Sequence, residues 1–345
     1  MAGRTFSTAS PTNIGQREDL ANFISMISRD ETPFLSSIGK TKATAIFHEW
    51  QTDELATPKS AAVAEGVSYS TQASAQVAEP VRSRLGNYTQ INSKTVTVTG
   101  TKRAVDQAGV ADEYAYQLKK RGTELRRDVE FDMIQAWNNS NGSGTRTFGG
   151  YEAWANVNVV DASGGIYAAP ATKGIGTAGV LTAASGTEAA LSLSSIDSLM
   201  QTIYEAGGKA TKLMTSPANR RAFSARAQAA GSASSNAGDG NVRRNIDADG
   251  KLRQSVEIYM SDFGDIMVVP NYIMGLSHTV DDVDVKDFTA LVYDPQWFAY
   301  AALRPMQEVE LGQMGDSIIG QIVEEGSLEC RNPAGCGMVV GLSGA

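Results

Sequence analysis

Histidine and cysteine are almost missing from this chain. Its 345 residues hold two of each: His48, His278, Cys330 and Cys336. Two cysteines make no disulfide framework, and with two distant histidines they make no zinc pattern. Positive charge is also short: 30 Lys and Arg stand against 38 Asp and Glu, a net charge of −8. That balance argues against a sequence-reading nucleic-acid binder, which normally carries a basic face, and suits a surface that does not stick to phosphate. No apolar run approaches the roughly 20 residues of a membrane span. The opening "MAGRTFSTASPTNIG" lacks the apolar stretch of a secretory signal. The expectation is a soluble product made in the cytoplasm, with no membrane partner.

What is present is length, glycine and long polar stretches. The chain is long enough for a substantial core and two domains. Gly is frequent at 34 residues, so much of the chain is loop or closely approaching backbone.

Residues 1–15 read as a flexible polar arm. Residues 16–29 place Leu20, Phe23, Ile24 and Ile27 on one helical face. Pro33 and Gly39 end that helix and start a turn. "KATAIFHEW" alternates with neither face purely polar, and "INSKTVTVTGT" sets Thr95, Thr97 and Thr99 against Val96 and Val98. These two runs are expected to pair as a long hairpin with its tip in residues 55–88.

From 103 to 137, Ala111, Tyr114, Leu118, Leu125, Val129, Met133 and Trp137 recur at helical spacing, with Gly109 and Gly122 as soft points. One helix of that length would span roughly 50 Å. The heptad is not sustained, so it is no coiled coil. "NNSNGSGTRTFGG" stops it, and residues 151–190 are poor in charge with short strand candidates such as "ANVNVV". A helix then starts at Ser194 or Ser195 and ends at Gly207 or Gly208. Ser216 caps another, with Pro217 at its first position. Asp262, Phe263 and Gly264 turn a hairpin, and further strands follow up to "GMVVGL". Mixed helices and largely antiparallel strands make the fold class α+β.

The motifs of chemistry dissolve on inspection. "GIGTAG" (174–179) has no apolar strand before it, so it reads as a glycine-rich loop and not a dinucleotide site. "DFG" (262–264) lacks every other kinase signature. "DADG" (247–250), with Glu257 downstream, lacks the later ligands of a calcium loop. "HEW" does not extend to H-E-x-x-H, and no G-x-S-x-G elbow serves either histidine. Asn87-Tyr88-Thr89 is a glycosylation acceptor in form only. "KKR" (119–121) and "RRD" (126–128) on the long helix read as a solvated face, a subunit contact or a modest basic strip. The reading is therefore architectural: no catalytic, cofactor or metal residues, and not an enzyme. A long hairpin arm buries little alone, and its exposed edges invite pairing with another chain.

That order of parts resembles the major capsid proteins of tailed bacteriophages, with the Hong-Kong-97-type fold. The resemblance runs from about residue 28 to 342. It is carried by "ETPFLSSIGKTKATAIFHEWQTDELA", "RLGNYTQI", "ELRRDVE", "SVEIYMSDFGDIMVVPN", "LVYDPQWF" and "GDSIIGQIVEEGSLECRNPAG". It implies an N-terminal arm with a short helix (1–38), an extended hairpin loop (39–102), and a peripheral domain (103–209). That domain would hold a spine helix (103–138) and a Gly/Ser-rich insertion (139–190). An axial domain (210–300) and closing peripheral strands (301–345) follow. It implies self-assembly as hexamers and pentamers into an icosahedral shell around double-stranded DNA held without sequence specificity. The shell belongs to a virion and is assembled in the bacterial host cytoplasm. Scaffolding, portal and decoration proteins are further candidate partners, and no cofactor is implied. Lys59 and Asn332 do not match the family's cross-linking motif, so no covalent cross-link is expected. Contact candidates across a subunit boundary are Glu65, Arg82 and Arg84 for charge-assisted bonds and Trp50 and Tyr88 as apolar anchors. The other readings are a cellular nanocompartment shell of the same fold, a phage tail or tube subunit, and a hydrolase with an unrecognised site.

Overall fold

Two sheets share one long strand-and-turn path. In the computed structural model the described residues are 28–56, 58, 62, 64–68, 82–105, 109–135, 145–162, 167–168, 182–183, 189–232, 257–275, 278–280, 283–285, 289–312 and 315–343. The expected N-terminal arm, almost all of the helix at 16–29, Lys59, "GIGTAG" and "DADG" lie outside them.

The first sheet has four strands. β1 is Gly39–Lys42 and β4 is Gln90–Thr99, while β14 (Phe298–Leu311) and β15 (Ser317–Cys330) are the two longest. Their order is β1-β14-β15-β4. β14 and β15 run antiparallel from Phe298↔Cys330 to Leu311↔Ile319, with register shifts around Arg304. Pro305 falls in that irregular stretch, where its missing N–H is tolerated. The Thr/Val alternation of β4 reads out as expected: Val96 and Val98 are buried while Thr95, Thr97 and Thr99 are exposed.

The pairing of β4 departs from expectation. It runs along β15, Thr99↔Ser317 to Gln90↔Gly326, and not along the 43–50 run. That run is broken by bends at Ala45 and Ile46, so β1 joins the first sheet and β2 (Phe47–Thr52) forms a separate ribbon with β3 (Ser83–Tyr88). The Thr89 amide donates to Ile46 O at 2.8 Å and fixes the step between ribbon and sheet.

The expected 103–138 helix is also divided. A short helix α2 (Gly100–Ala104) ends before Gly109, whose φ of 82° only glycine adopts readily. Asp112 then starts α3 (Glu113–Gln135), accepting from Tyr114 N through its side chain at 3.1 Å. At 23 residues α3 spans about 35 Å. It lies on the first sheet, burying Leu125, Val129 and Met133. Gly122 stays helical and faces Ile322. Two strand glycines make room for rings: a Cβ at Gly320 would collide with Tyr114, and one at Gly326 with Tyr300.

The second sheet is mixed, in the order β5-β16-β13-β8-β10-β9. β5 is Val159–Asp161, β8 Lys212–Thr215, β9 Ile258–Ser261, β10 Gly264–Pro270, β13 Ala290–Tyr293 and β16 Gly337–Val340. Small two-stranded pairs, β6 with β7 (Tyr167–Ala168, Thr182–Ala183) and β11 with β12 (His278–Val280, Val283–Val285), complete the strands. Successive residues alternate between two cores. Met214, Leu291, Tyr293, Met338 and Val340 join one, with α1 (Pro33–Ser37), α3 and α4 (Tyr151–Trp154). Leu213, Ile266, Val268, Ala290, Val292 and Val339 join the other, under α5 (Leu193–Glu205) and α6 (Pro217–Ser232). Ser192, not Ser194 or Ser195, caps α5, its Oγ accepting from Ser195 N at 3.1 Å. Ser216 caps α6 as expected, accepting from Asn219 N at 3.2 Å.

α5 packs with β8, β10 and β16 in one core. Residues 298–300 begin a strand of the first sheet, while 337–340 return to the second. Glu130 of α3 ties the parts together. It accepts from Phe34 N at 2.8 Å, Leu35 N at 2.7 Å and Asn271 Nδ2 at 2.8 Å. Burial pushes its carboxyl up, and those three donors act in the opposite direction.

Candidate functional site

The ribbon of β2 and β3 is rooted firmly and reaches out from the body. Its register sets His48 opposite Asn87, Trp50 opposite Leu85 and Thr52 opposite Ser83 on one face. Phe47 opposite Tyr88, Glu49 opposite Gly86 and Gln51 opposite Arg84 make the other.

The first face turns inward. Asn87 is fully buried, and its amide makes three bonds: Nδ2 donates to Gly149 O at 2.9 Å and Leu328 O at 2.8 Å, and Oδ1 accepts from Gly149 N at 2.9 Å. Trp50 Nε1 donates to Cys330 O at 2.8 Å, and its ring lies 5.3 Å from that of Trp154. Trp50 therefore anchors the ribbon to its own chain.

Two buried carboxylates on β15 complete the root. Glu325 accepts from Arg146 Nη2 at 2.6 Å, Arg304 Nε at 2.7 Å and Thr89 Oγ1 at 3.0 Å. Glu329 sits with His48 Nε2 at 3.4 Å, Arg331 Nε at 2.9 Å and Thr41 Oγ1 at 3.0 Å. Burial alone would raise the Glu329 pKa, but bonds from His48, Arg331 and Thr41 outweigh it and hold it at about 2. Charge-assisted bonds of this kind are the strong ones, and here they fix a ribbon that has no core of its own.

The second face is partly open, and beyond the root the described residues are mostly exposed. Phe47 and Tyr88 rings pack at 4.7 Å, and Phe47 lies over Gly86 so closely that a Cβ there would be 2.6 Å from the ring. Arg84 meets Glu49 at 3.6 Å and Arg82 meets Asp53 at 3.1 Å, both on exposed side chains. Past Thr52 the described residues are almost all exposed, Leu55 at 98%. Ala64–Val67 forms a turn with Gly66 at φ 80°, and Glu65 lies exposed on it.

The five sequence candidates thus separate. Arg82, Arg84 and Glu65 are exposed on the outgoing limb, Tyr88 is half-buried on the ribbon's outer face, and Trp50 is packed inward. The residues that hold the root, Asn87, Thr89, Arg146, Arg304, Glu325 and Glu329, were not singled out. Asn87 and Thr89 had drawn notice only as a glycosylation acceptor, and burial now explains why polar residues interrupt that strand. Asn332 caps the turn Pro333–Gly335, accepting from Gly335 N at 3.1 Å. Asp262 and Phe263 make the tight turn between β9 and β10, as expected for "DFG". Among the described residues no cluster of His, Cys, Asp and Glu could hold a metal ion, and no helix is long and apolar enough to cross a membrane.

Comparison with known proteins follows the same line. The model of the SU10 major capsid protein family matches residues 4–343. The major capsid protein of Escherichia phage Phieco32 is 36% identical over 117 residues, 34% of this chain and 32% of that protein. The chain thus matches about a third of that curated relative's length. Among solved structures, one from Mycobacterium phage Bobi superposes with a TM-score of 0.56 at 11% identity, covering 94% of this chain and 95% of that one. The asymmetric unit of the bacteriophage PhiM1 mature capsid gives 0.55 at 12% identity, covering 99% and 97%. The capsid of a native GTA particle gives 0.54 at 12%, covering 98% and 100%. At such identities the likeness is one of fold.

Proposed function

This chain belongs to the SU10 major capsid protein family and has the Hong-Kong-97-type fold of tailed-phage capsid proteins, and from that premise we propose how it works as a shell subunit. It is a structural protein of the virion, not an enzyme. Copies associate with one another, as hexamers and pentamers, into a closed icosahedral shell around double-stranded DNA. The single observation that carries this reading is the family match across nearly the whole chain. It favours the phage shell over the nanocompartment, tail-tube and hydrolase readings.

The limb between Thr52 and Ser83 then has a purpose. Its described residues are exposed and bury little in their own chain, so a neighbouring copy supplies the surface they need. Arg82, Arg84, Glu65 and Tyr88 face that neighbour, while Trp50 and Asn87 keep the limb's root rigid. The first sheet with α3 forms the peripheral unit and the second sheet with α5 and α6 the axial one. No cross-link is needed. Scaffolding, portal and decoration proteins would complete the particle, assembled in the host cytoplasm. Negative-stain electron microscopy with size-exclusion chromatography tests the reading. Closed shells or discrete hexamers and pentamers are expected. A protein that stays monomeric even when co-expressed with its neighbouring phage genes would sink it.

A further inference from the structure

The chain's two cysteines come together at the crossing between its two sheets. Cys330 ends β15, where the first sheet stops, and Cys336 stands just before β16, where the second sheet takes the chain up. Both are free thiols, fully buried in one core with Phe34, Tyr151, Phe298 and Met338. The two side chains share a hydrogen bond, and Asn332 N–H donates to Cys330 Sγ. Cys336 Sγ donates in turn to Pro333 O at 3.3 Å.

The turn between them holds this arrangement. Asn332 accepts from Gly335 N through Oδ1 and through its backbone oxygen, both at 3.1 Å. Arg331 N donates to Trp297 O at 2.8 Å. Behind the turn, Gly208 lies so close that a Cβ there would strike Gly335. A turn fixed from these sides keeps each sulfur against the other. One buried cysteine is only a small apolar side chain, but two in contact have the partner sulfur that a disulfide requires. The position matters too, because Cys330 O accepts the Trp50 indole N–H at 2.8 Å, the bond that anchors the limb's root.

Burial and the neighbouring thiol push the Cys330 thiol well above its usual range, so the pair is slow to react. A reducing cytoplasm keeps such thiols reduced. Hydrogen peroxide is small and uncharged, and enters through local openings that exclude larger reagents. We propose that Cys330 and Cys336 form a redox staple, which peroxide in an oxidising medium closes into a disulfide that locks the crossing between the two sheets beneath the limb's root. Peroxide oxidises one thiol to a sulfenic acid, its O–O bond breaking and one water leaving. The second thiol then attacks that sulfur, the S–O bond breaks, and a second water carries off the remaining proton. The inference rests on the virion reading only for the particle's passage out of a reducing cell.

The test uses the full-length protein, purified with reductant and then held folded in hydrogen peroxide. N-ethylmaleimide is added in denaturant, and the adducts are counted by mass spectrometry. Reduced protein takes an adduct at each cysteine; oxidised protein is expected to take none and to run as a single chain on a non-reducing gel. Trypsin cuts after Arg331, inside the closed loop, so the two resulting peptides should stay joined until reductant is added. The oxidised protein should melt about 3 °C higher, as a short closed loop in a chain of this size predicts. Reductant should reverse that rise, and C330A/C336A, which also controls for methionine oxidation, should not show it. Thiols that still take maleimide after peroxide overturn the staple. So do sulfinic or sulfonic acid at either cysteine, disulfides between chains, or a closed loop that leaves melting unchanged. These readouts do not require assembly, so a chain that never forms shells is a distinct result and counts against the shell reading alone.

Discussion

Replacing Asn87 by alanine removes the amide that pins the ribbon root. Three bonds go at once, to Gly149 O, Gly149 N and Leu328 O, all with buried partners. A buried polar group left without a partner costs about 1–3 kcal/mol. Leu328 O stays within a strand ladder while Gly149 lies in a loop, so the Gly149 pair dominates. The expected loss is about 3–5 kcal/mol, which for a chain of this size lowers the melting temperature by on the order of 5 °C. The informative comparison is Asn87→Asp. Aspartate keeps the shape and still accepts from Gly149 N, but it cannot donate, and it points a carboxylate oxygen at two carbonyls. It should therefore destabilise at least as much as alanine at pH 7. Denaturant titration gives the loss, and hydrogen exchange at residues 47–52 and 83–88 places it. If Asn87→Asp matches the wild type, the amide is not the anchor and the account of the root fails.

Three other outcomes follow from the same geometry. Glu152 is fully buried beside Thr289, and burial pushes its carboxyl up to about 8 from a usual 4.5. Its contribution is most favourable below the unfolded value and is lost as pH rises toward 8, about 1.4 kcal/mol per pH unit and roughly 3 kcal/mol by pH 7. Denaturation of Glu152→Gln between pH 5 and 8 should show a correspondingly flatter slope than the wild type, and parallel slopes would contradict this. Glu329, held at about 2, has the opposite sign. Its contribution is present above the usual 4.5 and lost as pH falls toward 2, and after solvent screening amounts to about 1–2 kcal/mol. Wild type and Glu329→Gln should therefore converge in acid and separate at neutral pH. Reversing Arg82 and Arg84 together breaks two exposed pairs, worth under about 1 kcal/mol in the isolated chain, yet should reduce shell formation sharply in micrographs. Intact shells of equal thermal stability would remove both residues from the limb's contact.

Local chemistry was legible wherever it closed on itself. Ser216 followed by Pro217 starts a helix with neighbouring groups only, and Asp262-Phe263-Gly264 turns a hairpin within its own two strands. The alternation of Val96 and Val98 against threonines marked a half-buried strand correctly. The break at residues 105–112 was less plain, since helical periodicity continues through it and Gly109 was only one of two soft points. Of the candidate site, the exposed charges of the limb were readable because polar runs without apolar periodicity stay outside. The root was not, because Asn87, Glu325 and Glu329 are polar residues with partners as far as 62, 236 and 288 positions away in the chain.

The sequence by itself determined an α+β subunit with no recognisable active site and a limb too poor in apolar residues to fold on its own. These properties depend on composition and on spacings within a few residues. Tertiary structure alone decided that β4 pairs with β15 and not with the 43–50 run, and that α5 belongs to the second sheet. Strand partners and burial arise from contacts between distant segments. A period-two pattern says that a strand has a covered face, but the chain must close before anything says which neighbour covers it.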